Sequence, residues 1–433
     1  MEWVATDAFH NSDELPYAPK CHPQTRLAVL DDIMKWVNKS GAQDDFMMWL
    51  FGSAGAGKSA IAKKIAELAA EQGLLIGTFF FSRTSFKRNS KDRLIPTLAY
   101  QLAQSIPGTR VYIEDAIERD PAIFNKNLQT QINTLLIKPL QSVSTQTIPL
   151  PKLIIIDGLD ECKDTQAQLI ILDAISCSLY KHKLPIMCLV ASRPETYLVS
   201  SFDSHDPLKF IHRRLSLNAA YRADGDIRLY LSDKFEQIRC THRLRSTIPI
   251  PWPTEESLET LVWKSSGQFI FAATVVRFVE SYRHRPATRL NIILGISPAG
   301  TMNPFIELDG FYTQILSSVE DIQLTLRVLS LYIATPAIPI RIPHLIEQFL
   351  SLEEGDIDLA LVDLSSIVSY DESFRQVKIL HASFVDFLSD KRRSNDFYID
   401  MASARTEFTC RTLDLVKAPD GILGMVRVTL ITL

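Results

Sequence analysis

The run Gly52-Ser53-Ala54-Gly55-Ala56-Gly57-Lys58-Ser59 has the residue types and spacing to hold a phosphate chain, fitting G-x-x-x-x-G-K-[ST] at every fixed position. Glycines let the backbone curl until successive N–H groups point inward at phosphate oxygens. The Lys58 ammonium would reach the β- and γ-phosphates and the Ser59 hydroxyl would take one position on Mg2+. A helix opening at Ala60 would add its positive N-terminal end, so residues Gly52 to Ala60 form the candidate phosphate cradle.

A second group with chemistry to offer is Leu153-Ile154-Ile155-Ile156-Asp157-Gly158-Leu159-Asp160-Glu161. An apolar strand ending in aspartate suits a carboxylate that holds Mg2+, usually through water, which makes Ser59 and Asp157 the metal candidates. Asp160 and Glu161 fall just past the strand end, where one of them would orient an attacking water. A third element, Leu189-Val190-Ala191-Ser192-Arg193-Pro194, brings Arg193 out of a strand end on the same sheet edge, where it would sense the γ-phosphate. The basic stretch Arg83, Lys87, Arg88, Lys91, Arg93 reads instead as a solvated loop face outside the site.

Two other phosphate-loop chemistries lack their signatures. A guanine-reading N-K-x-D is missing, since Asn125-Lys126-Asn127-Leu128 has no carboxylate at the last place. Ser265-Ser266-Gly267-Gln268 loosely matches a transporter signature but follows the Asp157 strand where it would have to precede it. Adenine is the better-fitting base.

These groups need a scaffold. Phe46 to Phe51, Leu75 to Phe81, Leu153 to Ile156 and Ile186 to Ala191 are short apolar runs alternating with helical stretches, the pattern of a parallel α/β sheet covered on both faces. Ahead of the sheet, Leu27, Leu30, Ile33, Met34 and Val37 share one helical face. Beyond Arg222 the character turns helical, with Asp226 to Ile238, Glu255 to Lys264, Gln268 to Tyr282 and Asp309 to Val319. Two further helices, Ile340 to Leu350 and Asp356 to Val368, then a strand Val377 to Leu380 and a helix Ser383 to Leu388, suit a winged-helix module. The first twenty residues, with Pro16 and Pro19, read as an extended lead-in.

At 433 residues, two or three domains are expected. The net charge of −4 gives no hint of a nucleic-acid or membrane surface. Six scattered cysteines without a C-x-x-C pair point to reduced thiols in a cytoplasmic protein. The longest apolar run, Phe269 to Val276, stops at Arg277 and is too short to span a membrane.

The combination resembles the NACHT family of signal-transducing STAND ATPases, and within it the fungal NLR-like proteins with a nephrocystin-like N-terminal domain. The likeness is carried by Cys21 to Arg26, Trp49 to Gly52, Phe79 to Arg83, Asp157 to Cys162, Ser192 to Glu195, Ser266 to Ile270, Leu308 to Tyr312 and His381 to Leu388. It implies residues 1–20 as an N-terminal segment, 21–215 as the P-loop ATPase domain, 216–300 as a helical domain, 301–400 as a winged-helix domain and 401–433 as an atypical tail.

The resemblance further implies a nucleotide switch. ADP would hold the domains closed and ATP would permit homo-oligomerisation, with slow hydrolysis, in fungal self/non-self recognition or programmed cell death. Thr25 or Arg26 would lie near the adenine, Gly267 near the base or ribose, and His381 would bond the β-phosphate in the closed state. Where relatives carry proline two residues after that glycine, this chain has Phe269. An effector protein acting in trans is the expected partner, with no nucleic acid and no membrane span. Two other readings stay open: a conventional P-loop ATPase or kinase, and a truncated non-catalytic nucleotide-binding module.

Overall fold

The computed structural model describes residues 2–12, 20–38, 45–52, 55–83, 85–143, 152–182, 186–204, 206–217, 223–265, 267–294, 304–317, 319–334, 343–362, 364, 367–371, 376–379 and 382–417. The chain divides into two compact units, Met1–Asp226 and Ile227–Leu433.

The first unit is built on five parallel strands: β1 (Met47–Phe51), β2 (Leu75–Phe80), β3 (Leu153–Asp157), β4 (Met187–Ser192) and β5 (His212–Ser216), in the order β2-β3-β4-β1-β5. Side chains alternate across the pleat and both faces are buried, so the central strands read as continuous apolar runs. Met48, Leu50, Leu153, Ile155, Leu189 and Ala191 face one way, against α1 (Leu27–Asn38) and α2 (Lys58–Glu71). Met47, Trp49, Ile154, Ile156, Cys188 and Val190 face the other, against α3 (Leu94–Ser105), the helical stretch 128–143 and the helix Thr165–His182. In α1 the expected apolar face is buried at Leu30, Ile33, Met34 and Val37, while Leu27 is exposed.

The four apolar runs read from the sequence are strands; β5 was missed. Of its residues, His-Arg-Arg-Leu-Ser, only Leu215 is buried, because among the described residues β5 is an edge strand pairing with β1 alone. The opposite edge, β2, is closed by a side chain. Gln101 accepts from the Thr78 amide at 3.0 Å and donates to the Thr78 carbonyl at 2.8 Å. Gly77 permits this approach, since a Cβ there would lie 3.0 Å from Gln101 Cβ. An irregularity between Leu75 and Gly77 shifts the pleat, which is how Ile76 and Phe79 reach the same core.

Residues 2–12 differ from the extended lead-in expected of them. Thr6–Ala8 is a turn of 3-10 helix with Asp7 and Ala8 buried. The Ala5 amide donates to Thr97 Oγ1 at 2.9 Å and the His10 amide to Thr78 Oγ1 at 3.0 Å. Trp3 stacks on Phe124 and Phe9 on Tyr100.

The second unit is mainly helical. Its helices include Glu255–Ser265, Phe269–Val279, Pro286–Leu294, Pro304–Ser317, Ile322–Ala334, Pro343–Leu350 and Asp356–Val362. They are followed by an antiparallel hairpin of β6 (Val368–Asp371) and β7 (Gln376–Ile379), then Ala382–Leu388. Helices, this hairpin and a further helix follow one another in the chain. The single helix expected over Asp356 to Val368 is a helix ending at Val362 with Val368 opening β6. Tyr312 packs on Phe384 and Phe387, with ring centroids 5.0 and 5.5 Å apart.

Residues 401–417 of the expected tail form a helix, Met401–Lys417, packed into this unit. Phe408 stacks on Phe349 at 5.1 Å, Arg327 pairs with Glu407 at 3.1 Å, and Arg411 donates to the Phe349 carbonyl at 3.0 Å. Residues 418–433 lie outside the described set. Among the described residues no helix is long and apolar enough to cross a membrane.

Candidate nucleotide-binding site

The site assembles where the strands end. β1 runs into Gly52, and α2 begins at Lys58 behind Gly57, whose φ of +93° is the left-handed conformation that favours glycine. Gly55, also left-handed at +78°, precedes buried Ala56, and Ala60 is buried in the first turn of α2. Ser53 and Ala54 lie outside the described residues. Lys58 folds over the loop, its ammonium donating to the Gly52 carbonyl at 2.8 Å. Burial lowers its pKa, opposed by the carboxylates of Asp160, Asp157 and Glu161.

Across the intervening strand β4, Asp157 closes β3 and is 4% exposed. Burial pushes its carboxyl up to about 7, against the pull of a hydrogen bond from the Ser59 side chain. Among the described residues its Oδ1 is buried without a hydrogen-bond partner. A buried carboxylate oxygen that no described residue satisfies, beside a hydroxyl, is a hard-oxygen donor pair that fits Mg2+. Ser59 and Asp157 are therefore the residues that would hold the ion.

Past Asp157 the chain turns through Gly158 (φ +69°) into the 3-10 turn Leu159–Glu161. Asp160 does not stand open to solvent. Its Oδ1 accepts from the Arg193 amide at 3.1 Å, its Oδ2 lies 3.3 Å from Arg193 Nε, and Arg83 Nη2 approaches Oδ2 to 4.0 Å. Glu161 accepts from the Arg83 amide at 3.3 Å. Burial first, then the adjacent Asp160 charge, raise the Glu161 pKa, while Arg83 pulls it down. Of the two carboxylates, Asp160 is the one held by Arg193 through both amide and guanidinium.

Arg193 follows β4 on the same edge, as expected. Ser192 ties the neighbouring strand ends together, accepting from Trp49 Nε1 at 2.8 Å and donating to the Arg193 carbonyl at 3.0 Å. Arg83, set aside in the sequence as part of a solvated loop, belongs to the site. The available signal was positional, because Arg83 follows closely on the apolar strand ending at Phe80, at the sheet edge where ligands bind.

Thr25 and Arg26 enter from ahead of α1. Thr25 Oγ1 donates to the His22 carbonyl at 2.7 Å. Arg26, 4% exposed and left-handed at φ +58°, donates from Nη2 to the Ala56 carbonyl of the loop at 2.9 Å. Its amide donates to Asp226 Oδ2 at 2.9 Å. Burial lowers its pKa and Asp226 opposes the shift. The chain thus brings Arg26 onto the phosphate loop. Gly267, in the second unit, is left-handed at φ +76° just ahead of the helix Phe269–Val279. His381 lies outside the described residues.

With Lys58, Ser59 and Arg26 at the glycine loop, and Asp157, Arg83 and Arg193 at the neighbouring strand ends, the first unit is a nucleotide-binding P-loop module. Residues 26–193 match the family model for Nephrocystin 3, N-terminal, a span containing the loop, Asp157 to Glu161, Arg83 and Arg193. Among solved structures, Cdc6p from Pyrobaculum aerophilum matches at 13% identity, covering 89% of this chain and 98% of that one, with a TM-score of 0.39. The Orc1 protein of Aeropyrum pernix, solved in complex with DNA, matches at 12% identity over 90% and 94% of the two chains, with a TM-score of 0.37. No curated protein sequence matches the chain.

Proposed function

We propose that this chain, in which residues 26–193 match the nephrocystin 3 N-terminal family, is an ATP/ADP-binding switch of the NACHT and STAND kind that hydrolyses ATP slowly. The observation that carries the reading is the state of Asp160. It is saturated by Arg193 and approached by Arg83, which leaves Glu161 as the carboxylate able to orient a water. A site whose charged groups hold one another in place is suited to sensing which nucleotide is present.

Within this reading Lys58 leaves the Gly52 carbonyl for the β- and γ-phosphates, and the amides of the loop surround them. Bound Mg2+ supplies charge neutralisation at those oxygens. Arg193, anchored on Asp160, is placed to change partner when a γ-phosphate enters. Glu161, with its raised pKa, takes the proton of the attacking water. Arg26 holds the loop from its Ala56 side. The domain layout we propose follows the expected one: ATPase domain 21–215, helical domain 216–300 and winged-helix domain 301–400. His381 in the last is the resting-state latch, and homo-oligomerisation and an effector in trans are the outputs, in fungal recognition or programmed cell death.

The test pairs nucleotide binding with assembly. Lys58→Ala should weaken binding of a fluorescent ADP analogue about 100-fold, roughly the loss of two charge-assisted contacts. Mass photometry should show monomers with ADP and larger species with a non-hydrolysable ATP analogue. Sustained turnover of many ATP per second would make the chain a conventional enzyme. Binding without nucleotide-dependent assembly would make it a non-switching module.

A further inference from the structure

Asp7 is a buried carboxylate far from the phosphate loop in sequence, held by residues of another segment. Its Oδ2 accepts from Arg88 Nε and from Ser85 Oγ, each at 3.0 Å, and the residue is 4% exposed. A charge this deep keeps its place only with its partners, so the ion pair fastens residues 2–12 to the segment following β2. The same arginine donates from Nη1 to the Phe80 carbonyl at 3.3 Å.

That segment is internally tight. The Ser82 amide donates to the Arg88 carbonyl, Ser85 to Ser82 and Arg88 to Ser85, at 3.0 to 3.1 Å. It is also stitched to the carboxylate turn. The Phe81 amide donates to the Asp157 carbonyl at 2.9 Å, the Arg83 amide to Glu161 Oε2 at 3.3 Å, and the Lys163 amide to the Asn89 carbonyl at 2.7 Å. Arg83 Nη2 reaches the Asp160 carbonyl at 3.5 Å.

We propose that Asp7 is a positioning residue for the nucleotide site: through Ser85 and Arg88 it fixes the segment that carries Arg83 against Asp160 and Glu161. The first residues of the chain are thereby coupled to the acid pair. Anything that pulls residues 2–12 away releases Arg83 and loosens the turn that bears Glu161. The role in hydrolysis rests on the nucleotide-switch reading above, whereas the mechanical coupling can be read in the protein without nucleotide.

Hydrogen exchange on the full chain, wild type against Asp7→Asn, tests the coupling directly. Exchange should rise about tenfold both in peptides covering 81–90 and in those covering 158–163, with β1 and α3 unchanged. Loosening of 81–90 alone, or no change in either, overturns the proposal. Should Asp7→Asn fail to fold, Ser85→Ala keeps the ion pair and removes one donor, and should raise exchange in both segments about threefold. No rise at 158–163 again overturns it.

Single-turnover hydrolysis separates positioning from general destabilisation. Asp7→Asn should slow it about tenfold in the wild-type background and less than about twofold in an Arg83→Ala background. Additive effects contradict the route through Arg83. If the wild-type protein binds no nucleotide, or binds it regardless of Lys58→Ala, the switch reading falls while the exchange result still decides the coupling.

Discussion

Arg193 and Asp160 are joined twice, amide to Oδ1 at 3.1 Å and guanidinium Nε to Oδ2 at 3.3 Å. The pair bridges the ends of β3 and β4, the strands that carry the acidic turn and the arginine. It makes Asp160 an element of the scaffold.

Asp160→Asn should therefore act first on stability. Removing the charge takes from Arg193 a buried carboxylate that it meets twice, at a cost of about 2 kcal/mol in urea denaturation. Glu161→Gln should leave the unfolding free energy within about 0.5 kcal/mol and abolish hydrolysis, because its partner Arg83 contributes a backbone amide that an amide oxygen also satisfies. Equal loss of stability in both variants would contradict the division of roles.

Acidification should weaken the first unit through His10. Burial depresses its pKa, followed by opposing effects of Glu67 and Lys63. With the folded pKa below the unfolded one, the unfolded chain binds the proton first. The contribution is then whole above the unfolded pKa of about 6.5 and is lost as pH falls through the folded value. Urea midpoints measured from pH 7.5 down to 5 should fall in wild type and fall less steeply in His10→Gln.

Gln101→Leu should cost about 3 kcal/mol, since it strands both the Thr78 amide and its carbonyl at a buried sheet edge. Gly77→Ala should be destabilising for the same reason, its Cβ displacing Gln101. Chemical denaturation followed by tryptophan fluorescence reads both, and a neutral Gln101→Leu would show that the edge is satisfied in another way.

Phe408→Ala should lower the stability of the second unit by about 3 kcal/mol through loss of its stack on Phe349. Truncation before Met401 should be more damaging still. Differential scanning calorimetry would register either loss, and an unchanged profile would return residues 401–417 to the status of a tail.

Much of the first unit was legible in the chain itself. β1, β3 and β4 are doubly buried and therefore announce themselves as apolar runs, and the loop and the Asp157 strand end are patterns of adjacent residues. β5 escaped because only Leu215 of His212–Ser216 is buried on that edge. Residues 2–12 escaped because their apolar residues, Trp3, Val4, Ala5, Ala8 and Phe9, follow neither a strand nor a long-helix period, and nothing local marks Asp7 for burial. In the second unit the change from Asp356–Val362 to β6 is a switch of period within an apolar stretch, which composition alone does not resolve.

The sequence by itself determined that phosphate could be held here, because a glycine loop between an apolar run and a helix needs only neighbouring residues to define it. Tertiary structure decided what surrounds that loop. Only the strand order brings β4, and with it Arg193, between the loop and Asp157. Only packing across long stretches of chain sets Arg83 on the acidic turn, Asp226 on Arg26, and Asp7 on Arg88. Charged side chains choose partners by proximity in the folded state, and proximity across such separations is a property of the sheet, not of the residues' order.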